Sequence, residues 1–393
     1  MKKYVWLVLG IIVILLITPG LAWGEKKPET VSPSTVDTLK KIDLDKMEDF
    51  KRKIDGEITG SMSEKTMGQL VKDFVTGKWS LDFKEVSGNL LKYITREILA
   101  NSSLLGKILV LAVISALLIN LQSSFENQGI AKLSAMACFL ALSAIALGSF
   151  KYVLGLGQEC ITTMADFMTS ILPQMMILVT GLGHVNTATA MFPVLMALST
   201  IMAQGMTGIV FPLIIISAAL NLLNTVADTV KVQRLGKLAA TLAEIAMGLI
   251  MTIFITVLTL KGIYGTVLDK VALKTGKFVT DAFFPVIGGY IADALETAAG
   301  YFILLKQAAG IFGMLIVFGT FIFPVLKIGV IAFMYKLVAA LVEPIGDART
   351  AQVLEIMGNH LLLVLATVAA VGLMFFIVMA ILGSIGNSAI LVR

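Results

Sequence analysis

The chain has 393 residues, of which 57% are hydrophobic and 15% charged, with a mean hydropathy of +0.91. Soluble domains carry about a quarter charged residues, so a wholly water-soluble chain is excluded. The net charge of +5 comes without a dense basic patch or interleaved aromatics, so it is no nucleic-acid signature; scattered Lys in membrane loops accounts for it.

The charges are unevenly spread. Residues 25–103 hold 14 Lys/Arg and 14 Asp/Glu, whereas residues 104–393 hold 15 and 12 over a length almost four times greater. The expectation is an all-α polytopic membrane protein in three parts: a signal peptide over 1–24, a charged, mostly helical extracytoplasmic segment over 25–103, and a multi-span body over 104–393. The two cysteines, Cys138 and Cys160, have neither disulfide-framework nor metal-ligand spacing and read as small apolar residues.

The N-terminus carries Lys2 and Lys3, then 13 apolar residues from Val5 to Ile17, then Pro19 and Gly20. Small residues at Ala22 and Gly24 suit a signal peptidase, with cleavage between Gly24 and Glu25. An uncleaved anchor is the alternative; 13 residues are short against the roughly 20 of a full span.

From Glu25 to Ser34 the chain is polar, with Pro28 and Pro33, and reads as a linker. Apolar residues then recur at helical spacing around 36–54, 67–74 and 83–100. So small a segment buries a marginal core, so it rests on the membrane body or a partner, or else forms a partly ordered tether.

Apolar runs follow at about 104–121, 133–152, 164–181, 189–204, 207–224, 238–260, 308–326, 327–342 and 360–382. They predict seven to nine transmembrane helices. Gly205-Met206 alone separates two runs, implying a tight hairpin or one kinked unit. Four of the nine prolines follow Phe, at Pro193, Pro212, Pro285 and Pro324. Each frees a carbonyl in the preceding turn, which makes either a cavity-forming break or a plain kink.

An exported 25–103 segment places 225–237 in the cytoplasm, where Lys231, Arg234 and Lys237 outweigh Asp228, as the positive-inside rule requires. Nine crossings place 343–359 outside and Arg393 inside. Residues 261–281 would lie outside yet carry Lys261, Lys270, Lys274 and Lys277. An interfacial helix explains them, and 262–306 is read as an amphipathic, interfacial stretch.

Charges inside an apolar body are the candidate functional residues. Asp293 and Glu296 stand three apart, on one face of a helix. With Lys306, Glu244 and Lys336 they form a candidate polar lining of a conduit. The alternatives are a salt bridge to Lys306, acids facing interfacial water, and snorkelling of Glu244.

Enzyme signatures are missing: there is no HExxH, no GxSxG and no P-loop, and His184 and His360 are far apart. No cofactor or metal is expected.

Residues 274–288, KTGKFVTDAFFPVIG, and the closing residues from Gly386-Asn387-Ser388 to Val392-Arg393 resemble the stage III sporulation protein AE family. The order of features is also similar over essentially the whole chain: signal peptide, short charged segment, polytopic body, C-terminal Arg. The resemblance implies a non-enzymatic component of a trans-envelope channel or secretion-like complex needed for endospore formation. It would sit in the mother-cell (outer forespore) membrane and support forespore integrity and late gene expression. The implied partners are other stage III sporulation membrane proteins, a forespore-made protein, membrane lipid and, where the chain self-associates, a homo-oligomer. No catalytic or ligand-binding residue is carried over. A non-conducting scaffold and a self-contained secondary transporter are the rival readings.

Overall fold

A computed structural model describes residues 47–52, 65–79, 83–122, 128–226, 231–283, 288–345 and 348–384, with the helical backbone alone at 83–85, 116, 118–122, 128–132, 134–135, 226, 262–283 and 288–301. The signal-peptide calls, with Gly24 and Glu25, fall outside the described residues, as do Pro285 and the closing residues 386–393.

Among the described residues the chain is helical, with no strand. A short helix over 47–52 precedes α1 (Met67–Val75), α2 (Phe83–Ala100), α3 (Ser102–Gln122), α4 (Gln128–Gly181) and α5 (Val185–Gly205). A π-helical turn, Met206–Val210, leads into α6 (Phe211–Val226). Then come α7 (Gln233–Phe283), α8 (Gly288–Val342), a 3-10 turn at Glu343–Ile345, and α9 (Ala348–Ser384).

Five helical stretches are long and apolar enough to cross a membrane: Met136–Gly181, Val185–Thr225, Gln233–Lys261, Phe302–Ile345 and Ala348–Ser384. A sixth is Val86–Ala100 with Ser102–Ser115, bent by 44° between them. The seven to nine expected helices shrink to five or six because three pairs of apolar runs fuse. Gln158 and Glu159, between the runs 133–152 and 164–181, sit exposed on the unbroken α4. Pro324 stays inside α8, which joins 308–326 to 327–342.

The Gly205-Met206 junction also continues rather than reversing. Both residues are in right-handed helical conformation, and the Phe211 N–H bonds Met206 O five residues back. Pro212 has no N–H to give Gly208, and the wider turn absorbs that missing bond. Met136–Gly181 alone is 46 residues, about 69 Å of helix at 1.5 Å per residue. That is more than twice the roughly 30 Å of a bilayer core, so such a helix crosses once and reaches well beyond it or tilts.

The core is organised around α9. Its most apolar window is 83% buried, against 22% for α7. It packs most extensively on α8, then on α4 and α6. The α8–α9 seam is antiparallel: Gly310 meets Gly383 at one end, Phe321 lies on Gly372 in the middle, and Lys336 lies on Gly358 at the other. A Cβ at Gly310 would sit 2.8 Å from Gly383 Cα, so only glycine lets the two backbones approach here, as at close-packed membrane helix pairs.

On α7, Leu238, Leu242, Ile245, Leu249 and Ile253 form an exposed stripe at three- and four-residue spacing, while Ala243, Phe254 and Leu258 are buried. In water such a stripe would be a large uncovered apolar patch; it suits lipid.

The charged segment packs onto this body. Thr66 and Gln69 close a capping box at the start of α1, and the Met67 N–H donates to Glu48 Oε2 at 2.6 Å, tying α1 to helix 47–52. Met67, Val71 and Val75 are buried at four-residue spacing. Phe74 and Trp79 stack edge-on against Phe312 of α8, and Phe50 against Phe167 of α4.

Candidate functional site

The candidate residues picked out in the sequence do not converge. Asp293 and Glu296 fall on α8, but their side chains lie outside the described residues. Lys306 is fully buried on α8. Lys336 is 30 residues further along the same helix, about 45 Å away at 1.5 Å per residue. Its stem lies against Gly358 of α9. Glu244 is half-buried on α7. Lys306 and Lys336 therefore serve opposite ends of the bundle, and no single small site holds both.

Two polar places emerge instead. The first is an ion pair within the bundle. Lys327, near the middle of the stretch Phe302–Ile345, lies 3.9 Å from Glu97 Oε1. Glu97 is 8% exposed and Lys327 24%. Asn101 Nδ2 donates to Glu97 Oε2 at 3.2 Å, and the Lys327 ammonium stands 5.7 Å from the Tyr152 ring of α4. Tyr93 packs on Phe323 at 4.8 Å, one turn away on each helix. The pair thus joins α2 to α8 with α4 alongside. The sequence signal was present in Lys327, a cation inside an apolar run, which demands a carboxylate. Nothing in the sequence says that the carboxylate is 230 positions away.

The second is a cleft of about 430 Å³ at one end of the bundle, between α6, α7 and α9. Helix α6 supplies Asn221 and Asn224, and α7 supplies Gln233 and Lys237. Helix α9 supplies Gln352, Glu355, Asn359 and His360. Ala240, Ile356 and Leu363 are the apolar part of the lining.

The floor of the cleft is fixed by hydrogen bonds. His360 Nδ1 lies 2.7 Å from Ile356 O, one turn back on α9, so it carries the proton and donates. His360 Nε2 lies 2.8 Å from Ser217 Oγ, which is also 2.8 Å from Gly236 O. Ser217 is fully buried and has one proton for two acceptors when the imidazole is neutral. Asn221 Nδ2 donates to Ser217 O at 2.9 Å. The Asn221 carboxamide occupies the space a side chain at Gly236 would take. Ser217, Asn221, Gly236 and His360 therefore lock three helices together beneath the cleft.

The cleft also places the start of α7 and the start of α9 at the same end of the bundle, because Lys237 and Glu355 line it together, whereas nine crossings put 225–237 and 343–359 on opposite sides. The fusion of 308–326 with 327–342 into α8 removes one crossing between them. Among the described residues no group of three or more potential metal ligands is assembled.

The architecture is that of an all-helical bundle whose apolar helices have membrane-spanning length and whose core is a buried apolar helix. The family model for stage III sporulation protein AE matches residues 65–386, and the chain belongs to that family. Stage III sporulation protein AE of Bacillus subtilis (strain 168) is 29% identical over 400 aligned residues, covering the whole of both chains. No solved structure matches.

Proposed function

We propose that the chain is a non-enzymatic, membrane-embedded component of a trans-envelope channel or secretion-like assembly that serves endospore formation. It would lie in the mother-cell membrane around the forespore, with 25–103 extracytoplasmic except where α2 enters the bundle and sets Glu97 beside Lys327. Other stage III sporulation membrane proteins and a forespore-made protein would be its partners.

The observation that carries this reading is family membership over residues 65–386 together with at least five helices of spanning length. Helix α9 fills the centre of the bundle with buried apolar residues from Leu361 to Phe375. A conduit would therefore run along a side of the body, or between copies, rather than through its middle. The stretch 262–306, with Asp293 and Glu296, is the proposed side. Packing of the N-terminal segment on Phe312 and Phe167 would carry contacts from the far side of the membrane into α8 and α4.

Spore formation in cells whose own copy is deleted separates the readings. Asp293→Asn with Glu296→Gln should lower spore yield with assembly intact if the stretch lines a conduit or a transport path. A scaffold would tolerate those changes and fail only when 35–100 is deleted.

A further inference from the structure

We propose that the cleft between α6, α7 and α9 is a binding site for a small zwitterion, an α-amino acid or short peptide, held with its carboxylate toward Lys237 and its ammonium toward Glu355. About 430 Å³ falls within the roughly 300–1,000 Å³ of small-molecule sites. Among the described residues the lining offers one cation and one anion, from different helices, so a net-neutral ligand with separated charges matches it.

The lining also holds five carboxamides, those of Asn221, Asn224, Gln233, Gln352 and Asn359. Each can donate and accept, which suits ammonium, carboxylate and peptide groups alike.

Other ligand classes fit worse. A nucleotide needs more than one cation for its phosphates and a flat apolar face for its base, and among the described residues the lining has a single Lys and no Phe, Tyr or Trp. An acyl chain needs apolar walls, and among the described lining residues only Ala240, Ile356 and Leu363 are apolar. A divalent metal ion needs more than one carboxylate, and among the described lining residues Glu355 is the single one. The hydrogen bonds of Ser217 and His360 hold the floor in place before any ligand arrives, and this preorganisation lowers the entropic cost of binding.

Zwitterion binding and a conduit along 262–306 are separable, since cysteine labelling of that stretch reports only on the second. The test is equilibrium dialysis of the full-length chain in detergent micelles with radiolabelled L-glutamine and glycylglycine. Saturable binding of at least one is expected, weakened about tenfold or more by Lys237→Gln and by Glu355→Gln. Both residues are exposed, so an unchanged elution profile and thermal transition should confirm that the variants fold. N-acetylglycine and glycinamide, each lacking one charge, should compete at least about tenfold less well. No saturable binding of either zwitterion overturns the proposal, and so does binding indifferent to both substitutions.

Discussion

Glu97 and Lys327, 230 positions apart in sequence, form an ion pair at 3.9 Å near the middle of the stretch Phe302–Ile345. A charge inside an apolar bundle is costly unless it is paired, so the two residues fix where α2 lies on α8. Removing one partner leaves the other charge behind. Glu97→Gln or Lys327→Met alone should therefore destabilise the protein by about 1–3 kcal/mol, below the 3–5 of a fully buried pair because Lys327 keeps some exposure. The double variant should cost less than the sum of the two. A double-mutant cycle from thermal unfolding in detergent checks this; strict additivity would mean that the pair contributes nothing.

Helices α8 and α9 meet where Gly310 faces Gly383 and where Phe321 covers Gly372. Gly310→Leu or Gly372→Leu forces side-chain volume into a filled seam. Each should lower stability by about 1–3 kcal/mol, the usual cost of overpacking. Gly248, which has open space beside it, should accept Leu with little change. Midpoints of thermal unfolding for the three variants give the comparison.

Beneath the cleft, the Ser217 hydroxyl lies between His360 Nε2 and Gly236 O. Ser217→Ala removes the side chain joining those two groups and leaves buried polar atoms short of a bond. The expected loss is about 1–3 kcal/mol. Hydrogen exchange should show faster opening where α6 ends and α7 begins. Unchanged protection there would mean that Ser217 does not tie the two helices.

The cleft also fixes a topology. Lys237→Cys and Glu355→Cys, made in a chain with Cys138 and Cys160 replaced, should react with a membrane-impermeant thiol reagent from the same side of sealed vesicles. The proposed orientation, from the charge balance of 225–237, makes that side cytoplasmic. Reaction from opposite sides would contradict the arrangement of α7, α8 and α9.

Helicity and the apolar runs were legible in the sequence because their period and length are local properties. The breaks between runs were not. Gln158 and Glu159 look like a loop, but a helix as long as α4 can carry them on an exposed face. The neighbouring Gly157 is a close approach to Phe211, Val364 and Val368 rather than a turn. Pro193 and Pro324 sit inside continuous helices, where a freed carbonyl can be satisfied by neighbouring groups. The cleft was invisible because Asn221, Asn224, Gln352 and Asn359 have the composition of ordinary helix ends; only tertiary packing brings them together. Lys306 and Lys336 were grouped by chemistry alone, and the length of α8 separates them.

Cysteine accessibility along 262–306 tests the proposed conduit most directly. With Cys138 and Cys160 replaced by Ala, single cysteines through the stretch are labelled with a membrane-impermeant reagent, in the isolated chain and in sporulating cells. The account predicts labelling that recurs every three to four residues, centred on positions 293 and 296 and blocked once the complex assembles. Uniform labelling, which marks a surface segment, or none at all, which marks a packed helix, would contradict it.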